Sequence, residues 1–115
     1  DGIIYAQTFG AAPNRVLAVQ WNHAQICCDP ALSDLTFEIL LNEATQSVAF
    51  QYLNLSGANS GGDTATVGIE GPGGLQGFPY LMSGAPSGHL LTNGLAVTFS
   101  QSPSVITADI SVAGL

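Results

Sequence analysis

Residues 35–52 read Leu-Thr-Phe-Glu-Ile-Leu-Leu-Asn-Glu-Ala-Thr-Gln-Ser-Val-Ala-Phe-Gln-Tyr. Leu35, Phe37, Ile39 and Leu41 alternate with Thr36, Glu38 and Leu40; after the polar stretch 42–46, Val48, Phe50 and Tyr52 alternate with Ala49 and Gln51. Successive side chains of a strand point to opposite faces, so a period of two that resumes across a polar turn predicts an antiparallel hairpin with one apolar face. A helix needs apolar residues three and four apart, and no window of the chain supplies that period.

The same alternation extends in both directions. Residues 3–8 read as a first strand, followed by a turn through Gly10, Ala11, Ala12 and Pro13. A long strand over 15–26, the best candidate for a central one, places Leu17, Val19 and Trp21 on one face and Ala18, Gln20 and Asn22 on the other. By that parity His23 falls beside Trp21, as a hydrogen-bonded histidine at the core margin. A loop around Cys28, Asp29 and Pro30 follows, because proline cannot donate to a central ladder. Beyond residue 52, 56–63 is a Gly/Ser/Asn-rich loop, 65–70 a strand and 71–74 a tight turn. Residues 75–81, interrupted by Pro79, read as a weak edge strand, and 82–93 as a loop. Alternation returns over 95–100 and again, after Pro103, over 106–112. Roughly eight short strands with regular turn signals predict an all-β fold. The expected form is a single domain over 1–115, a two-sheet antiparallel β-sandwich with no substantial helix.

Composition narrows the function. Charged residues make up 8% of the 115 residues, against about 25% in an average domain, and Arg15 is the sole basic side chain. A net charge of −7 repels phosphate backbones and releases almost no counterions, which excludes nucleic acid as a partner. No run approaches the roughly 18 apolar residues of a membrane span, so no membrane insertion is expected. The chain begins at Asp1 rather than Met, as expected of a processed or excised segment. With 46% hydrophobic residues and so few charges, the chain is expected either to cover apolar surface with a partner or to carry a Ser/Thr/Asn/Gln/Gly surface.

The inventory for chemistry is thin. Catalysis needs activated groups within reach of one another, and the chain offers His23, His89, two cysteines and scattered carboxylates. Ser87 and His89 are close in sequence, but the residues around them form no G-x-S-x-G elbow. Adjacent Cys27 and Cys28 lack zinc spacing, and no cofactor is expected. Calcium is the one ion left open, through Asp29 and Asp34, or Asp63 with loop carbonyls. Gly71-Pro72-Gly73-Gly74 precedes a strand rather than a helix, so it is a turn and not a phosphate cradle. Asn54-Leu55-Ser56 matches a glycosylation sequon. If the strand continues to them, Cys27 points inward and Cys28 outward. Free or packed thiols, a bond between subunits and a strained vicinal pair all stay open. Among the aromatic residues, Trp21 and Tyr52 share the parity of the apolar positions and belong in the core, whereas Phe78 and Tyr80, beside Pro79, are expected to be partly exposed.

The run 12–22, Ala-Pro-Asn-Arg-Val-Leu-Ala-Val-Gln-Trp-Asn, followed by 35–41 and by Val48-Ala49-Phe50-Gln51-Tyr52, resembles nidogen-like extracellular domains. In those a "PNR…W" strand leads to an "FQ…L" and an "F.Y" strand. Residues 65–70, 74–76 and 93–99 look like the companion segment of the same module in large secreted bacterial surface proteins and protease accessory regions. The resemblance implies a β-sandwich in an extracellular or cell-surface setting and carries no catalytic residue with it.

A non-catalytic binding or adhesion module is therefore expected, acting on a protein or glycan surface. Loop residues Asn59, Ser60, Asp63, Ser83, Ser87 and His89 are its candidate contacts. The alternative is a structural subunit that binds copies of itself, its terminal strands 3–8 and 105–112 completing a neighbour's sheet in a filament. An enzyme ranks third.

Overall fold

Among the described residues, strands form where apolar and polar side chains alternate. They are β1 (Ile3–Phe9), β2 (Val16–Ala24), β3 (Asp34–Asn42), β4 (Ser47–Ser56), β5 (Val67–Glu70), β6 (Gly77–Leu81), β7 (Leu95–Gln101) and β8 (Ala108–Gly114). The structure is a computed structural model and describes residues 2–26, 33–57, 65–83, 89–101 and 108–114. Its one helical turn among these is a 3-10 turn at Pro72–Gly74, where Gly73 and Gly74 take φ of 76° and 68°, a region open to glycine at no steric cost. The fold is all-β, and every strand pair is antiparallel.

The two sheets are unequal. One has six strands in the order β1-β2-β3-β4-β7-β8, and the other is the hairpin β5-β6. β1 to β4 form one antiparallel meander, and β5 and β6, between β4 and β7 in the chain, make the other sheet. Strand spacing makes the large sheet about 29 Å wide and the hairpin about 10 Å wide. The expected sandwich therefore has a second layer that spans a fraction of the first.

Register defines the inner face. Ala6 lies opposite Val19, Val19 opposite Ile39, Ile39 opposite Phe50 and Phe50 opposite Val97. A parallel row runs Thr8, Leu17, Leu41, Val48, Phe99. Burial is deepest where the rows meet the hairpin: Ala6, Thr8 and Leu41 are exposed, Leu17, Val19, Ile39, Val48 and Phe50 half-buried, and Val97 and Phe99 are 0% and 1% accessible. The core gathers Tyr52, Val67, Tyr80, Leu81, Leu91, Leu95, Val97 and Phe99, with Phe37, Phe50, Ile69 and Phe78 packed against it. Burial pushes the Tyr52 phenol up to about 12, because the anion would lose its hydration. The hairpin itself closes tightly: a Cβ on Gly68 would stand 2.7 Å from the Phe78 carbonyl oxygen.

Several expectations change here. Trp21, expected in the core, is half-buried and stacks on Phe37 with ring centroids 5.0 Å apart. It lies beyond the hairpin's reach. Tyr80, expected to be partly exposed, is 4% accessible, while Phe78 is half-buried. His23 does not keep the parity of Trp21. Between Trp21 and Ala24 the β2–β3 register shifts, and His23 takes φ of 54°, so a bulge turns its side chain out to solvent. A second shift, between Thr36 and Phe37, leaves Leu53 as the extra residue of β4 and lets Leu55 pack against the core.

Replacing Phe99 with Ala should cost about 3–5 kcal/mol, because the ring leaves a cavity in the one closed part of the core. Ile4→Ala, on the same inner face but exposed, should stay within about 0.5 kcal/mol. Urea unfolding of the two variants checks the contrast.

Candidate functional site

Among the described residues, no second layer lies over the β1–β3 part of the inner face. Ile4 is 61% and Leu41 42% accessible, and Leu17, Val19, Trp21 and Ile39 are half-buried. A shallow groove of about 450 Å³ crosses this region. Its floor is the cross-strand row Thr8, Leu17, Leu41 and Val48, and Arg15 and Glu43 stand at its rim.

The rim pair is zipped. Arg15 Nε donates to Glu43 Oε2 at 2.8 Å, Nη2 to Oε1 at 2.6 Å and the Arg15 backbone N to Oε2 at 3.1 Å. The Glu43 backbone N returns a bond to the Arg15 carbonyl at 2.9 Å. The two residues stand just past the Val16 and Asn42 partners that end the β2–β3 ladder, so this fork clamps the end of the two strands. The Arg15 bond holds the Glu43 carboxyl down at about 2 and raises Arg15 in turn. Since the folded value lies below the unfolded one, the pair's contribution is present above the ordinary glutamate range and fades as pH falls toward about 2. The sole cation of the chain is thereby committed to an internal partner.

At the other end of β2, His23 Nδ1 meets Asp34 Oδ1 at 2.8 Å, and the His23 backbone N donates to Thr36 Oγ1 at 3.2 Å. The bulge, rather than the strand's parity, places this pair, and both side chains face solvent. Asp34, one of the carboxylates considered for calcium, is engaged by the imidazole. Asp29 and Asp63 lie outside the described residues. Among the described residues no three His, Cys, Asp or Glu side chains are gathered.

The other sequence candidates are dispersed. Ser83 is exposed, and its backbone N donates to Thr66 Oγ1 at 3.3 Å. His89 lies flat on Tyr80, centroids 4.5 Å apart and planes 4° from parallel, with Nδ1 2.7 Å from the Tyr80 carbonyl oxygen. That stacking covers the Tyr80 ring. Asn54 Nδ2 donates to the Asp34 carbonyl at 3.1 Å and to Ser56 Oγ at 3.3 Å; a sugar on that nitrogen would remove one of the two hydrogens it uses. Asn59, Ser60, Ser87, Cys27 and Cys28 lie outside the described residues. Because β2 ends at Ala24 after its bulge, the alternation that set Cys27 inward and Cys28 outward does not reach them. The sequence did not single out the open inner face. Its signal was present in four consecutive alternating strands, which pair in one antiparallel sheet.

Two antiparallel layers of unequal width, with the larger one's apolar face half open, define an all-β module of two layers. The family described as NIDO related matches residues 1–105. The chain belongs to this nidogen-related family, as its strand motifs suggested. No curated protein and no solved structure compared with the chain matches it.

Replacing Arg15 with Gln should return the Glu43 carboxyl from about 2 toward its ordinary 4.5, read from carboxyl-carbon NMR shifts against pH. Stability should change little, since both groups face water.

Proposed function

We propose that the domain is a non-catalytic binding module of an extracellular protein, and that it takes a protein partner through the open β1–β3 half of its inner sheet face. The carrying observation is the contrast across the inner face, between buried Val97 and Phe99 on β7 and exposed Ile4 and Leu41 on β1 and β3. A contiguous apolar surface rimmed by a charged pair is the usual signature of a protein contact. The extracellular setting rests on the nidogen-related family. The non-catalytic character is supported by ionisable groups that satisfy one another in pairs, Arg15 with Glu43 and His23 with Asp34.

A protein fits this surface better than a glycan. Sugars stack on open aromatic faces, and here Tyr80 is covered by His89 while Trp21 and Phe37 stack on each other. The floor is aliphatic, through Leu17, Val19, Ile39 and Leu41. Filament assembly through the terminal strands is the second reading, favoured by the position of β1 and β8 at opposite edges of the large sheet. Among the described residues no helix is long and apolar enough to cross a membrane.

A photo-reactive phenylalanine analogue at Leu17 or Leu41, in the protein secreted by its own cells, should cross-link to another protein. The same probe at Gln20 or Glu38, on the opposite face, should not. Equal labelling from both faces, or none from Leu17 and Leu41, would remove the basis for the proposal.

A further inference from the structure

Four strands present an edge: β1 and β8 in the large sheet, and β5 and β6 in the hairpin. An open edge is a row of unpaired N–H and C=O groups, and proteins usually protect it with a charge, a proline or a very short strand. β5 is four residues long and ends on Glu70; β6 is five residues long and contains Pro79; β8 contains Asp109. β1, Ile-Ile-Tyr-Ala-Gln-Thr-Phe, has none of these guards. It is seven residues long, all exposed, and pairs with β2 without a register shift. Ile3, Ile4, Tyr5 and Phe9 are exposed on it, so apolar side chains flank the edge on both faces of the sheet.

We infer that β1 is a self-pairing edge: two copies of this chain join β1 to β1 antiparallel about a two-fold axis through Ala6. Charge limits where a second copy can approach. Each chain carries a net charge of −7 and one cation, already committed to Glu43, so two copies can approach closely only where neither carries charge. β1 and β6 are the uncharged edge strands, and of the two β1 is the one without a proline. The register is self-complementary as well. A two-fold at Ala6 sets the smallest side chain of β1 against its own copy, Ile4 against Thr8, Tyr5 against Gln7 and Ile3 against Phe9, with no like charges opposed. An antiparallel pair centred on one residue is allowed whether that residue's own N–H and C=O point toward or away from the partner. The product is a closed dimer with a continuous twelve-stranded sheet and β8 at both outer edges. The open β1–β3 faces of the two copies then lie side by side on one surface. An open filament instead needs β8 as the acceptor of β1, and the β8 sequence contains the charged Asp109.

The 115-residue chain is compared with two double variants by sedimentation equilibrium over a range of concentrations, with far-ultraviolet circular dichroism to confirm that each is folded. The parent should form a dimer and nothing larger. Tyr5→Lys with Gln7→Lys places lysine opposite lysine twice across the axis and should weaken the dimer roughly tenfold or more. Tyr5→Lys with Gln7→Glu places lysine opposite glutamate and should restore it. These positions are exposed, so the fold should tolerate both changes. A parent that stays monomeric at every concentration, that grows without limit, or whose dimer responds equally to the two variants overturns the proposal. The photo-reactive probes at Leu17 and Leu41 test the face and not the edge, so the two ideas fail separately.

Discussion

The structure depends on one mismatch: a hairpin of two short strands is the second layer for a sheet of six. Burial on an apolar face requires something to lie on it, and the described residues of β5-β6 cluster with those of β4 and β7, a cluster that includes no described residue of β1 or β2. Everything enclosed follows from that overlap, including the burial of Val97 and Phe99, the covered Tyr52 phenol and the packing of Phe78 and Ile69. What lies outside it keeps core-type side chains without a core. At about 25 cal/mol per Å² of apolar surface removed from water, such a face carries a standing drive toward association.

Local devices fix how that face is presented. The Arg15–Glu43 fork closes one end of β2 and β3, and the bulge at His23, held through Thr36 and Asp34, redirects the other. A second bulge on the far side of β3 brings Leu55 to the core and turns Leu53 out. Between them Phe37 receives Trp21 on one side and Tyr52 on the other. This aromatic ladder leads from the open face into the closed core and couples the two mechanically.

In the binding role proposed for this module, charge decides where contact is allowed. With the single cation held internally, the neutral parts of the surface are where another acidic chain can come near. The open β1–β3 face and the β1 edge are both neutral, and they adjoin. The proposed partner face and the proposed pairing edge therefore draw on the same end of the sheet.

The alternation of residues 35–52 and of the flanking segments determined the all-β class, the positions of the eight strands to within a few residues and the antiparallel hairpins, because side-chain direction in a strand depends on local parity alone. The strand motifs likewise pointed to the nidogen-related family. Parity failed past each bulge: His23 turned out, Leu55, which alternation from Tyr52 would set outward, packs on the core, and nothing local announces a register shift, which is set by the neighbouring strand. Burial failed for Trp21 and Tyr80 for a related reason. An inward-facing position is buried only if another layer lies over it, and Tyr80 is closed off by His89, nine residues away in the chain. The candidate surface was legible only as an apolar excess with few charges. That part of this excess lies on the inner face of β1 to β3, at Ile4 and Leu41, was decided by tertiary structure, because it depends on how far a two-stranded layer can reach across a six-stranded sheet.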